Sequence, residues 1–187
     1  AEIFKFLMLK PGLNYIGGFI FGVMYAPLVI TGLHHTFLAV DFQLIADPQL
    51  HGTMIWPMIA LSNIAQSGAV AATYLIYKKD EKQKSLSASA TISAWLGVTE
   101  PAMFGANLKY VYPFFAAITA SGIAALICTA GGTLASSVGI GGLPAIIAIY
   151  PQYWLVYGIA MIVALFGSFF LTFIFKGFYE KRNKNLK

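Results

Sequence analysis

The sequence is short of charge. Only 10% of its 187 residues are Asp, Glu, Lys or Arg, against about 25% in an ordinary soluble domain. At 58% hydrophobic, it carries more apolar surface than a soluble fold of this size hides, whereas a bilayer accepts it. The single cysteine, Cys128, excludes an internal disulfide. It lies in the apolar run 123–130 and reads as a small buried hydrophobe rather than a reactive thiol. There is no strand-loop-helix phosphate motif, so nucleotide binding is unsupported, and no H-E-x-x-H pattern completes a zinc site. No metal and no cofactor are expected. The net charge of +5 does not point to nucleic acid, because the basic residues stand at the ends of apolar runs and form no aromatic-flanked patch. The first residue is Ala1, with neither an initiator Met nor a signal-peptide pattern, and the chain is expected to be a piece of a longer polypeptide.

What is present is apolar and long. Four stretches, 12–32, 54–77, 110–130 and 153–176, approach the ~20 residues that a bilayer requires. Two others are apolar but interrupted. Gly97, Pro101 and Gly105 break 88–107, while glycines and Pro144 break 131–151. Irregular backbone survives at membrane depth only where protein buries it or a wet cavity borders it, so both segments are candidate re-entrant hairpins. The fold class expected is therefore an all-α integral membrane protein with about four transmembrane helices and two re-entrant hairpin-like segments. A further irregular stretch, 33–53, carries all three histidines. Basic residues precede the first span (Lys5, Lys10), follow the second (Lys78, Lys79, Lys82, Lys84), precede the third (Lys109) and end the fourth (Lys176 onward). With four crossings all of them fall on one side, which the positive-inside rule assigns to the cytoplasm. The 88–107 segment then enters and leaves from that side, and 131–151 enters from the other.

Glu100, in Gly97-Val98-Thr99-Glu100-Pro101-Ala102-Met103-Phe104-Gly105, is the sharpest functional signal. A carboxylate at membrane depth costs at least ~2.5 kcal/mol and is a functional residue by default. Pro101 prevents a regular helix from running through it, which places Glu100 at a hairpin tip, able to accept hydrogen bonds from hydroxyl groups. The competing role is a cap on the following helix. His34 and His35, near Asp41 and Gln43 and without basic neighbours, read as the polar lining of a cavity. Adjacent histidines in extended backbone point in opposite directions, which argues against a shared metal; His51 reads as a loop residue. Asn63, Gln66 and Ser67 lie at helical spacing in the second span and either bond between helices or line a pathway. The tryptophans Trp56, Trp95 and Trp154 read as boundary or packing residues, with one available to stack on a sugar face.

Four ordered motifs carry a family resemblance: Ala26-Pro27-Leu28-Val29-Ile30-Thr31-Gly32-Leu33-His34-His35-Thr36, Ile59-Ala60-Leu61-Ser62-Asn63-Ile64-Ala65-Gln66, the Glu100 motif, and Gly139-Ile140-Gly141-Gly142-Leu143-Pro144. Together, over nearly the whole chain, they resemble the membrane (IIC) component of bacterial phosphotransferase-system sugar permeases, in the glucose superfamily and its trehalose, sucrose and β-glucoside branch. Val98 stands where that family's motif commonly has Ile. The resemblance implies that residues 1–187 are the C-terminal, sugar-binding half of a IIC domain in the bacterial cytoplasmic membrane. It implies a disaccharide substrate, with trehalose ahead of sucrose on the likeness around Ile55-Trp56-Pro57 and Pro151-Gln152-Tyr153-Trp154. The partners implied are a phosphorylated IIB domain, an N-terminal half of IIC and a second copy in a homodimer. Glu100 matches the glutamate that binds sugar hydroxyls, and the pair His34–His35 the second polar contact, with Thr99, Asn63 and Gln66 as further substrate-binding candidates. Glu100 or His34 is the base for phosphoryl transfer, and Cys128 does not match the phosphocysteine. A proton-coupled secondary transporter or channel working through Glu100 is the alternative from another class.

Overall fold

The computed structural model describes residues 12–184, so Lys5, Lys10 and Lys187 lie outside the described residues. The chain is helical. Its helices are α1 (Leu13–Ile30), α2 (Thr36–Ile45), α3 (Ile55–Ile76), α4 (Glu81–Trp95), α5 (Glu100–Ala102), α6 (Leu108–Tyr110), α7 (Tyr112–Ala130) and α8 (Trp154–Lys184). A π-helical turn, Met103–Asn107, joins α5 to α6. Four helical stretches, Leu13–Ile30, Ile55–Ile76, Tyr112–Ala130 and Pro151–Arg182, are long and apolar enough to cross a membrane. The expected spans therefore have their helices, and the fold is that of an all-α, multi-pass membrane protein.

Packing follows from small residues. In α7, Ala116, Ala117, Ala120, Ser121, Ala124 and Ala125 are buried, leaving a surface that neighbouring backbones approach closely. Gly18 of α1 sits against Thr129, and Gly22 against Ser121 and Ala125, where a Cβ would collide. On another side Gly68 of α3 meets the Leu165 carbonyl and Ser168 of α8. α3 is the most enclosed span, 72% buried against 22% for the α8 span. It is the scaffold, and α8 turns Leu155, Ile159, Ile162, Phe166 and Phe170 outward at helical spacing, as lipid contact requires.

The ends of these helices define two ends of the bundle. Tyr77 stacks on Tyr110 at 4.1 Å, and Tyr112 lies 5.8 Å from Tyr179. The end of α3, the start of α7 and the end of α8 thus meet at one end. Lys78, Lys79, Lys82, Lys84, Lys109, Lys176, Lys181 and Arg182 all lie on the chain near it. At the opposite end Thr53 pairs with Ala135, and Ala135 with Ile149, in isolated bridges.

One expectation is corrected here. The basic residues predict that α1 runs parallel to α7. Instead Asn14 Nδ2 donates to the Thr129 carbonyl at 3.4 Å, Gly18 faces Thr129, and Ala26 packs with Phe114. The two helices are antiparallel, because the glycine face of α1 fits the small-residue face of α7 in that direction. α1 therefore starts at the end opposite the basic one. The stretch read as irregular contains α2, which turns back along α1, with Phe37 in edge contact with Phe21 at 5.2 Å. Thr53 then pairs with Ala135 at the end from which α1 began. Asp41 and Gln43 are not among the residues that line the cavity beside Glu100. Asp41 is fully buried and accepts from Thr53 Oγ1 at 2.5 Å, while Thr53 Oγ1 also accepts from Ile55 N at 3.0 Å, fixing the start of α3. Gln43 is exposed.

The two interrupted segments fold differently from each other. The first has two helical arms, α4 and the α5–α6 run, and its first arm begins at Glu81, earlier than the residue 88 expected from hydropathy. Asp80 caps that arm by accepting from Gln83 N at 3.1 Å. A polar seam holds both arms to α3. Ser87 and Thr73 hydroxyls meet at 2.8 Å, Gln83 Nε2 donates to Ser87 Oγ at 3.3 Å, and Lys109 Nζ donates to Gln83 Oε1 at 2.8 Å. Both arms return to the basic end. The second segment, 131–151, leaves from and returns to the opposite end as a loop around a 3-10 turn, Leu143–Ala148. Its two ends are tied together by Ser136 N donating to Ala148 O at 2.8 Å and Tyr150 N to Leu134 O at 3.2 Å.

Candidate functional site

Three turns and the middle of α3 converge on one cavity. The first turn is made by Gly32, left-handed at φ 76, which ends α1 and leads into the 3-10 turn Leu33–His35. Thr31 Oγ1 and Thr36 Oγ1 donate back to the Leu28 and Leu33 carbonyls at 3.0 and 2.7 Å, fixing both sides of that turn. The second turn ends α4. Gly97, at φ 95, lets Gly97 N donate to Ala94 O at 3.0 Å and Val98 N to Ser93 O at 3.0 Å, a Schellman closure that only glycine makes without strain. Ser93 Oγ returns to Val98 O at 2.9 Å. Immediately after this turn, Thr99 is the N-cap of α5 and Glu100 its first residue. The third turn is the 139–142 glycine run of the 131–151 loop.

The second and third turns touch through glycines. A Cβ on Gly97 would lie 2.9 Å from Gly141 Cα, and one on Gly142 would run into the Trp95 carbonyl. Asn63, from the middle of α3, donates through Nδ2 to the Gly97 carbonyl at 3.4 Å and lies directly against Gly141. Trp56, at the start of α3, donates Nε1 to the Ile140 carbonyl at 3.1 Å, so the third turn is held from both directions.

The cavity these turns enclose measures about 280 Å³, close to the lower bound of about 300 Å³ for small-molecule sites. Glu100, Thr99, His34, His35 and Asn63 line it, as do Tyr25, Trp56, Gly139 and Gly141. Five of the six substrate-binding candidates are thereby brought together from three separate chain segments. The histidines do not point apart, as extended backbone would require: in the 3-10 turn their rings lie 3.9 Å apart. Tyr25 packs edge-on to His34 at 6.3 Å. His34 Nδ1 is buried without a hydrogen-bond partner, and the Glu100 carboxylate makes no hydrogen bond among the described residues. Thr99, at the N-cap of α5, makes no side-chain cap bond, and Glu100 stands as the acid in the first turn. A carboxylate and an imidazole nitrogen without partners at one cavity are suited to receive and donate to hydroxyl groups.

Gln66 is not part of this site. It lies almost one turn beyond Asn63 and is buried against the π-helical turn. There Asn107 Nδ2 donates to Gln66 Oε1 at 2.7 Å and to the Gln66 carbonyl at 3.1 Å. Of the two roles open to it, the structure gives it helix bonding. Ser67 likewise donates to its own helix, to Ile64 O at 2.6 Å. Cys128 is buried in the α3–α7–α8 core beside Tyr157. Sequence reasoning missed the indole N–H of Trp56 as the tether of the third turn, since its partner is 84 residues away. It also missed Tyr25, whose signal was its place one helical face ahead of the histidine motif.

Residues 2–122 match the family model described as Phosphotransferase system, EIIC. The trehalose-specific EIIBC component of the Bacillus subtilis (strain 168) phosphotransferase system is 52% identical over 166 residues, covering 89% of this chain and 35% of that protein. Its Escherichia coli (strain K12) counterpart is 49% identical over 166 residues, 88% of this chain and 34% of that protein. The sucrose-specific EIIBC component of Staphylococcus xylosus is 49% identical over 151 residues, 79% of this chain and 32% of that protein. This chain thus spans about a third of the length of these curated relatives. No solved structure matches it.

Proposed function

We propose that this chain, which belongs to the phosphotransferase system EIIC family, forms the sugar-binding and translocating part of a permease that imports a disaccharide, trehalose ahead of sucrose. The observation that carries this reading is the meeting of Glu100, Thr99, His34, His35 and Asn63 at one cavity between three turns. Sugars present hydroxyls in fixed directions. A carboxylate accepts two of them, and an imidazole both accepts and donates. Trp56 offers an aromatic face beside these groups, and sugar rings pack on such faces.

Phosphoryl transfer then needs a donor from outside this chain. The sugar's primary hydroxyl oxygen attacks the phosphorus of a phosphocysteine on a IIB domain, the P–S bond breaks, and the thiolate leaves. The hydroxyl proton passes to Glu100 or His34 as base. Cys128 does not serve as that cysteine, being 1% exposed in the helical core. The rest of the relatives' length supplies the IIB domain and the other half of the membrane domain, through which two copies pair. The basic end faces the cytoplasm of a bacterial inner membrane by the positive-inside rule, and the turn bearing Glu100 is reached from that end.

Uptake of labelled trehalose by vesicles containing the complete transporter tests this. Accumulation is expected only with a phosphorylated IIB donor, and the product inside is sugar phosphate. Donor-independent uptake of unmodified sugar would instead establish a proton-coupled carrier. The Trp56 tether gives a sharper expectation. Trp56→Phe keeps a ring at the cavity but leaves the Ile140 carbonyl without its donor. A lost neutral hydrogen bond of about 1 kcal/mol corresponds to roughly fivefold weaker sugar binding by calorimetry. Wild-type affinity in this variant would mean that the third turn is held without the indole.

A further inference from the structure

We propose that the groove between the amino end of α7 and the carboxyl end of α8 binds an anionic phospholipid, one acyl chain lying in the groove and the phosphate on Arg182. The groove encloses about 470 Å³ and lies at the basic end, remote from the turns that form the sugar cavity. One wall is Val111, at the N-cap of α7, followed by Phe115 and Thr119 on the face of that helix. The other is the α8 face presenting Phe175, Phe178, Tyr179 and Arg182, again at helical spacing. From Val111 to Thr119 the groove runs about 12 Å along the helix, at ~1.5 Å per residue.

Its chemistry is graded along that length. Thr119, the lining residue furthest along α7 from the basic end, donates its hydroxyl to the Phe115 carbonyl of its own helix at 2.8 Å, so the wall offers an apolar surface there. At the mouth Arg182 is exposed and makes no ion pair among the described residues, while the nearby Glu180 is taken by Lys176 at 3.4 Å. An apolar slot that opens onto an uncommitted guanidinium matches a molecule with an alkyl chain and a phosphate. Lys109 and Lys181 add positive charge at the same end of the bundle, which selects a net anionic headgroup over a zwitterionic one. Arg binds phosphate in a fork that Lys and Gln do not reproduce. Tyr112 and Tyr179 flank the mouth, where amphipathic rings favour the headgroup level.

The test is native mass spectrometry of the complete transporter released from bilayers of phosphatidylcholine and phosphatidylglycerol. Wild-type protein is expected to retain phosphatidylglycerol with about tenfold preference. Arg182→Gln loses that preference, Thr119→Trp fills the slot and loses the lipid altogether, and Lys82→Gln, in the first turn of α4, retains wild-type selectivity. Unchanged melting temperature and unchanged trehalose binding in the Arg182 variant show that the fold and the sugar site are intact. Equal retention of the two lipids by wild type overturns the proposal, as does wild-type selectivity in Arg182→Gln. Wild type that retains no lipid, because another part of the transporter or a second copy fills the groove, overturns it too.

Discussion

Glu100→Gln is expected to weaken trehalose binding by the complete transporter about 100-fold, which corresponds to about 2.7 kcal/mol. Charge-assisted hydrogen bonds contribute roughly 1.5–3 kcal/mol each, and a carboxylate accepts from two hydroxyls at once. The amide keeps one acceptor oxygen but turns a donor toward the second hydroxyl, so one strong bond is lost and the other weakened. The change is local, because the Glu100 carboxylate forms no hydrogen bond or ion pair with the described residues. Thermal stability is therefore expected to stay within a few tenths of a kcal/mol of wild type. Calorimetry on detergent-purified protein separates binding from chemistry, since no phosphoryl donor is present. His34→Ala is expected to lose about tenfold by removing one hydrogen-bond partner. His35→Ala removes the ring that lies 3.9 Å from it, tilted by 37°, and should lose less. Wild-type affinity in Glu100→Gln would remove the carboxylate from the site altogether.

How much of this was legible in the sequence depends on the range of the interaction. The four membrane-length helices and the break after Trp95 are local features, set by apolar run length, Gly97 and Pro101. The first three spans match the expected bounds within two residues, while α8 continues past 176 to Lys184 because the polar, basic tail extends the helix without adding apolar length. The direction of α1 is not local. It follows from Gly18 and Gly22 meeting Thr129, Ser121 and Ala125 more than 95 positions later, and a charge rule that counts Lys5 and Lys10 has no access to that fit. The early start of α4 was hidden because its serines and lysines carry no apolar stripe, and it is a polar seam to α3 and Lys109 that stabilises it. The gathering of Glu100, Thr99, the histidine pair and Asn63 was suggested by residue type, but their distances arise from glycine contacts between turns. Gln66 shows the limit from the other side. Its spacing from Asn63 looked equally suitable, and only the position of Asn107 takes it out of the cavity.

Gly142→Val is expected to abolish transport, with at least a 100-fold fall in trehalose phosphorylation, while leaving the helical content unchanged. Gly142 has φ 62 and ψ −149, a backbone conformation essentially confined to glycine, and forcing another residue there costs about 1–3 kcal/mol. The second cost is steric. A side chain at 142 runs into the Trp95 carbonyl and comes within 2.7 Å of Gly97 N, both on the turn that carries Glu100. The two turns must separate, and with them go the Asn63 bond to the Gly97 carbonyl and the enclosure of the cavity. Gly139→Ala supplies the control for strain alone. Gly139 also has a positive φ, 125, but nothing lies within 4 Å of where its Cβ would stand. That variant is expected to lose about tenfold at most, in line with a backbone cost of about 1 kcal/mol. Equal losses at the two positions would mean that backbone strain, rather than contact between the two turns, sets the geometry of the site. Full activity in Gly142→Val would mean that the turns work apart.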